Sequence, residues 1–320
     1  MGAGPVLITG GSGQLARALA ASAGVRAARL VGRPDFDFER PESVAACFAA
    51  ARPSMVINAA AYTAVDAAER HPEAAKAGNH TGPLLLARLC ADSCIPFIHV
   101  STDYVFDGEK GAPYLESDPT GPTGVYGATK RDGELAILAS GARAIILRTA
   151  WVYSAHGKNF VRTMLGAARR LPTLRVVADQ RGTPTAAPDL AAAILDIVAR
   201  LEETGWRNAY QGIYHATNAG ETTWHGFACA IFEEAQAQGI RPPEVSAIST
   251  TDWPTPARRP ADSRLNCDRL HAVFGVRLPH WRASLGPIVG QLMAMDAPVE
   301  TALTANMSAN TQPSENLFLG

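Results

Sequence analysis

The chain has 320 residues, of which 47% are hydrophobic and 18% charged, with a formal net charge of −1 at pH 7. A balance so near neutral gives no electrostatic case for nucleic acid or a membrane surface as partner, and no run approaches the roughly 18 consecutive apolar residues of a membrane helix. Five scattered cysteines, Cys47, Cys90, Cys94, Cys229 and Cys267, read as buried thiols in a reducing cytoplasm rather than a disulfide framework or metal site.

The opening Met1-Gly2-Ala3-Gly4-Pro5 lacks the charged-then-apolar layout of a secretory signal. Val6-Leu7-Ile8-Thr9 reads as a buried strand, followed by a glycine loop and a helix through about Ala21. Ala27–Val31 is a second, weaker strand, Pro41–Arg52 a helix with proline in its first turn, and Met55–Asn58 a third strand. A helix around Pro83–Ala91 precedes a fourth strand at Phe97–Val100, and a helix at Val125–Ala139 precedes a fifth at Ala144–Leu147. Apolar strands separated by helices imply an α/β, doubly wound parallel sheet of Rossmann type, with ligands at the carboxyl ends of its strands.

Beyond Arg148 the pattern is less regular and implies a smaller, mixed α/β C-terminal substrate domain. It offers a helix at Asn159–Arg170, a strand at Leu174–Val177, a helix at Asp189–Leu201, and Gly212–His215 as a further strand for the main sheet. Thr223–Gln238 is helical, Arg241–Pro260 is mostly loop, and a last helix runs from near Trp281 to around Ala297. The expected domains are 1–149 with about 189–216 for the dinucleotide, and 150–188 with about 217–297 for the substrate. Small polar residues over 298–320 read as a disordered tail.

The loop Thr9-Gly10-Gly11-Ser12-Gly13-Gln14-Leu15-Ala16 carries the first chemical argument. Gly10 permits a tight turn, Gly13 lets a pyrophosphate approach the main chain, and Ala16 keeps the helix close to the sheet. Unpaired N–H groups and the positive dipole end then face the phosphates. A plain strand–turn–helix would use the same glycines only to bend. After the second strand, Arg33 suits a 2′-phosphate and tilts the cofactor choice towards NADPH over NADH, while Asp37 suits the adenine amine with Phe38 against its ring. The small residues after Asn58 let a cofactor lie across the strand end.

The second argument joins Thr102, Tyr126 and Lys130. Thr102 follows the fourth strand, and Tyr126 and Lys130 share a helix face because residues four apart are neighbours. A phenol, with a reference pKa of about 10, is lowered by an adjacent ammonium. Thr102 then holds a carbonyl oxygen while Tyr126 donates its proton and a nicotinamide delivers hydride. A core tyrosine with a solvated lysine is the bland alternative for the pair alone.

The loop, Ser101-Thr102-Asp103-Tyr104-Val105-Phe106 and the Tyr126…Lys130 pair resemble extended short-chain dehydrogenases/reductases. More narrowly, they resemble the dTDP-4-dehydrorhamnose reductases. Asn58–Asp66, Arg148–Tyr153, Lys158–Phe160, Asp179–Thr185 and Arg259–Leu265 are similar to that family's pattern as well. The resemblance implies NAD(P)H-dependent reduction of the 4-keto group of a dTDP-sugar. It implies cofactor contacts at Gly10, Gly13, Gln14, Leu15, Asp37, Phe38, Ala60, Ala61, Thr63, Tyr126 and Lys130. Tyr104, Val105 and Trp151 would line the sugar pocket, with Asn159 and Arg259 on the nucleotide. For Arg259 a salt bridge that fixes the Pro260 loop is the equal alternative.

Some members of the family join subunits through a glutamate–magnesium site. Ala18, Pro188 and Arg282 stand in those places here, so a monomer, or a homodimer without that bridge, is expected. Tyr104 replaces the glutamate of sugar-nucleotide 4,6-dehydratases. Epimerases, reductases of other nucleotide sugars and a regulatory subunit of methionine adenosyltransferase type remain as alternatives.

Overall fold

Apolar runs without polar interruption form strands buried on both faces. In the computed structural model, which describes residues 4–22 and 28–296, the runs at Val6–Thr9 and Met55–Asn58 are buried along their whole length. Chain order runs β1 (Val6–Thr9), α1 (Gln14–Ala21), β2 (Ala28–Val31), α2 (Pro41–Ala51), β3 (Met55–Asn58), the short α3 (Val65–Ala68) and α4 (Pro72–Lys76), α5 (Gly82–Asp92), β4 (Pro96–Thr102), α6 (Val125–Ala139) and β5 (Arg143–Thr149). After them come β6 (Val152–Tyr153), α7 (Phe160–Ala168), β7 (Thr173–Val177), β8 (Arg181–Gly182), β9 (Thr185–Ala186) and α8 (Ala187–Thr204). The chain continues with β10 (Gly212–His215), β11 (Thr222–Thr223), α9 (Trp224–Gln236), β12 (Glu244–Ile248), α10 (Asp268–Phe274) and α11 (Trp281–Asp296).

The main sheet has the order β10–β5–β4–β3–β1–β2 and every pairing in it is parallel. Alternation along each strand sends successive side chains to opposite faces. Ile8, Ile57 and Ile98 pack on one face with Leu19 of α1 and Ile194 of α8. Leu7, Val56 and Phe97 pack on the other with Phe48 of α2, Leu86 of α5 and Ile137 of α6. Strand order reverses at β1, which lies between β2 and β3, so the carboxyl ends there open a crevice of the kind that receives ligands in such sheets. The expected fold class is what the chain adopts.

A second core joins α7, α9 and α11 through Met164, Phe227, Ile231, Leu285 and Val289. Beside it β7 pairs in parallel with β12. The loop expected over Arg241–Pro260 therefore contains a strand, made by edge pairing rather than by burial of an apolar run. α3, α4 and α10 were not expected either. Thr102 is the last residue of β4 rather than a residue beyond it.

The cysteines depart from expectation: Cys90 is buried, but Cys94 is exposed and the other three are partly exposed. Among the described residues no helix is long and apolar enough to cross a membrane, and no three His, Cys, Asp or Glu side chains are grouped to hold a metal. Ala27, Ala297 and the expected tail at 298–320 lie outside the described residues.

Candidate active site

The glycine loop is built for close approach. Gly10 has φ 101°, and a Cβ placed there would stand 2.9 Å from the Ala59 carbonyl. Gly11, at φ 37°, sits against the backbone of Gly32. Gly13 is the N-cap of α1, with no side-chain cap and no acidic residue in the first turn. The first N–H groups of α1 thus face the crevice with the positive helix end, which suits a pyrophosphate. These residues fit a dinucleotide.

Its neighbours behave unevenly. The Leu15 side chain is buried in the core, so this residue offers the site its main chain. Gln14 turns to the second core: its Oε1 accepts from Ser154 Oγ at 3.0 Å and Asn159 Nδ2 at 2.9 Å. In the stretch after β3, Ala60 and Ala61 are partly exposed and Thr63 is exposed. Arg33 donates to Asp37 and Glu39, each at 3.1 Å, so its charge is already paired. Phe38, expected against adenine, is buried edge-on to Phe36 with its ring against Gly82 of α5. That is a correction: a small residue 44 positions on opens a core slot for the ring.

Thr102 and Tyr126 come together as expected. A hydrogen bond with Thr102 lowers the Tyr126 phenol, but burial outweighs it and pushes the phenol up to about 12. Lys130 is not among the groups that shift it. The Lys130 side chain is only 1% exposed, and its Nζ donates to Val100 O at 2.7 Å and lies 3.3 Å from His99 Nε2. Burial draws the Lys130 ammonium down to about 8, against the pull of Glu134. Glu69 holds the amino end of α6, its Oε1 accepting from Val125 N at 2.8 Å.

Tyr104 lies edge-on to Tyr126 with ring centroids 5.4 Å apart. It lines a cleft together with Phe160, Arg175, Gln180, Trp224, Trp253 and Arg259. Val105 does not line the cleft. It is fully buried with Phe106, Tyr114 and Leu265, because successive side chains of the 3₁₀ turn at Asp103–Val105 point about 120° apart. Trp151 stacks on Trp224 at 3.6 Å and continues that aromatic wall.

Asn159 is the N-cap of α7, accepting from Arg162 N at 3.1 Å and donating to Ser154 O at 2.8 Å, so its amide is committed within the protein. Arg259 forks Asp66, at 3.0 and 2.8 Å, which realises the salt-bridge alternative. Sequence reasoning passed over Asp103. Its carboxyl is buried and raised to about 6 by that burial, with Oδ1 accepting from Thr102 Oγ1 at 3.0 Å and Oδ2 unpartnered. Adjacency to Thr102 was the signal available. Phe160, Trp224 and Trp253 were missed as well, and only the fold brings them to Tyr104.

Comparison with known proteins matches residues 4–294 to the family model described as RmlD substrate binding domain. A protein of Sinorhizobium fredii named dTDP-4-dehydrorhamnose reductase is 44% identical over 287 residues, covering 89% of this chain and 97% of its own. The crystal structure of a dTDP-4-dehydrorhamnose reductase from Clostridium acetobutylicum superimposes with TM-score 0.82 at 34% identity, covering 90% of this chain and 99% of the other. The Bacillus anthracis enzyme of that name, solved in complex with NADP, gives TM-score 0.81 at 30% identity, covering 89% and 98%.

Proposed function

Because the chain belongs to the RmlD substrate binding domain family, we propose that it catalyses NAD(P)H-dependent reduction of the 4-keto group of dTDP-4-dehydro-L-rhamnose to dTDP-L-rhamnose. The hydrogen bond between Thr102, at the end of β4, and Tyr126 of α6, with Lys130 one turn along that helix, supports this reading. Bound in the glycine cradle, NAD(P)H supplies hydride to the carbonyl carbon. Gly10, Gly13 and the main chain of Gln14 and Leu15 would hold its pyrophosphate, with Ala60, Ala61 and Thr63 alongside.

Thr102, turning its single hydroxyl proton from Asp103 Oδ1 to the substrate, orients the ketone oxygen, and Tyr126, protonated across the neutral range, donates to it as the alkoxide forms. Protonation of the phenol is what an acid in the reductive direction requires. Tyr104 and the Trp151–Trp224 stack offer apolar surface to a 6-deoxysugar, and Arg175 offers a cation to the diphosphate. Arg259 acts at one remove, holding its loop to α3. The second core is thus read as the substrate domain.

Arg33 bonds two carboxylates but its side chain stays 65% exposed, so the proposed cofactor is NAD(P)H. With Ala18, Pro188 and Arg282 at the bridging places, the proposal includes a monomer or a dimer without the magnesium bridge, and a cytoplasmic location. Loss of NADPH absorbance on adding the 4-keto sugar nucleotide tests the reading. Tyr126→Phe should lose about 10²–10⁴-fold in kcat, and undiminished turnover by that variant overturns it.

A further inference from the structure

We propose that Gln180 is a specificity-determining residue that reads the nucleobase of the substrate, its side-chain carbonyl accepting the imide N–H of thymine. The inference deepens the reductase reading, on which it rests for the presence of a nucleotide in the cleft.

A neighbouring carboxylate fixes which way the Gln180 amide points. Carboxylate oxygens only accept, and those of Asp179 take Thr250 N at 3.0 and 2.9 Å and Thr250 Oγ1 at 2.6 Å. The single Thr250 hydroxyl proton is spent there, so its oxygen can only accept from Gln180, 3.0 Å away. The Gln180 atom facing Thr250 is therefore Nε2, and the carbonyl Oε1 is turned away from it. Among the described residues no donor reaches Oε1. Gln180 is only 6% exposed and lines the cleft with Trp253, whose N–H donates to Thr250 O at 3.1 Å.

Gln180 and Thr250 come from just past the paired ends of β7 and β12, where Ala178 N still donates to Ile248 O at 2.9 Å. Tyr104 comes instead from the end of β4 and packs on Tyr126. A substrate whose ketone meets Tyr126 therefore brings its base to the β7–β12 wall. Stacking on Trp253 or Phe160 attracts any base, so it gives affinity without choice. The sense of the hydrogen bonds gives the choice. Thr255 Oγ1 spends its proton on Ala257 O at 2.8 Å and has only lone pairs left, and Arg259 is forked to Asp66. Thymine has one N–H, on N3, and Oε1 is placed to accept it. Cytosine carries no hydrogen on N3. Its amino group lies one ring position on and meets Oε1 only if the base slides out of its stack.

Isothermal titration of the wild-type protein with dTDP, 5-methyl-dCDP and N3-methyl-dTDP isolates the base, because sugar and diphosphate are common to all three. dTDP should bind about 10–100-fold more tightly than either analogue, the cost of leaving a buried acceptor unpaired. Equal dissociation constants overturn the proposal. Gln180→Met keeps the side-chain length and removes the amide, and Gln180→Leu is the second variant. A residue that only supported the fold would weaken all three ligands alike. Here the loss should fall on dTDP, until its affinity meets that of the analogues. A folded variant that keeps the wild-type preference overturns the assignment to Gln180, and if neither variant folds, the wild-type series decides. Comparable binding of all three refutes this inference alone, whereas binding of none refutes the nucleotide-sugar reading and the inference with it.

Discussion

Neutralising Glu134 should unfold this protein early. The Glu134–Arg148 pair is enclosed, with side-chain exposures of 1% and 3% and three hydrogen bonds of 2.7 to 3.2 Å. The guanidinium also stands 4.9 Å from the Phe106 ring centroid, and its Nη1 has no partner. Glu134→Gln leaves a buried cation without its counter-charge, a loss of about 3–5 kcal/mol. At about 2–4 °C per kcal/mol for a fold of this size, the melting midpoint should fall by roughly 6–20 °C. Glu134→Leu combined with Arg148→Met leaves no orphaned charge and should recover most of that loss. Thermal unfolding at neutral pH measures both, together with the Glu134→Leu and Arg148→Met single variants. A single variant that loses under about 1 kcal/mol, or a double variant whose loss is the sum of the singles, refutes the argument.

Acid should destabilise the fold through its buried imidazoles. Burial, helped by the Arg148 charge, holds His215 down to about 3, whereas an unfolded histidine takes its proton near about 6.5. The unfolded state therefore binds more protons in that window, and the His215 contribution, full above about pH 6.5, is lost as pH falls towards 3. Urea unfolding at stepped pH should show a shallower decline for His215→Asn than for the wild type, and equal slopes would refute this. Gly10→Ala, with φ 101° and the Ala59 carbonyl 2.9 Å from the new Cβ, should cost about 1–3 kcal/mol of backbone strain and weaken NADPH binding at least about tenfold. Fluorescence titration measures the binding, and an unchanged Kd would sink the cradle argument. Because Arg33 already bonds Asp37 and Glu39, Arg33→Ala should change the KM for NADPH by less than about tenfold and leave that for NADH alone. A loss near a hundredfold would mean that the guanidinium abandons its carboxylates for the cofactor.

What could be read from the chain was whatever burial had written into it. Runs such as Met55–Asn58 and Ala144–Leu147 are apolar because both sheet faces are covered, and they were placed to within a residue or two. β12 was not, because Glu244 to Ile248 is an edge strand with exposed positions, made by pairing with β7 rather than by hydrophobic content. Thr102, Tyr126 and Lys130 stand out in the sequence because the proposed proton transfer needs those residue types at that spacing. Phe38 and Val105 were misread for a common reason. Sequence gives a side chain's neighbours along the chain, whereas the slot at Gly82 and the cluster with Leu265 come from far away in it. Asp103 was hidden differently: an aspartate after a threonine reads as a turn residue until the fold buries it with one oxygen unpartnered.

Polar residues of the discriminating motifs turn out to spend themselves on joining the two cores. Gln14 of the glycine loop accepts from Ser154 and Asn159 across the join. Asp66 forks Arg259 and accepts from Ala257 N at 3.0 Å, while Glu69, three residues on, caps the helix that carries Tyr126. These tethers end beside the cofactor loop or the catalytic helix. A displacement of the substrate side would therefore reach the glycine loop through Gln14 and the amino end of α6 through α3. Catalysis of this kind depends on sub-ångström placement of the ketone against donor and hydride source. A chain with Thr102, Tyr126 and Lys130 but without the joining residues would keep the chemistry and lose the alignment.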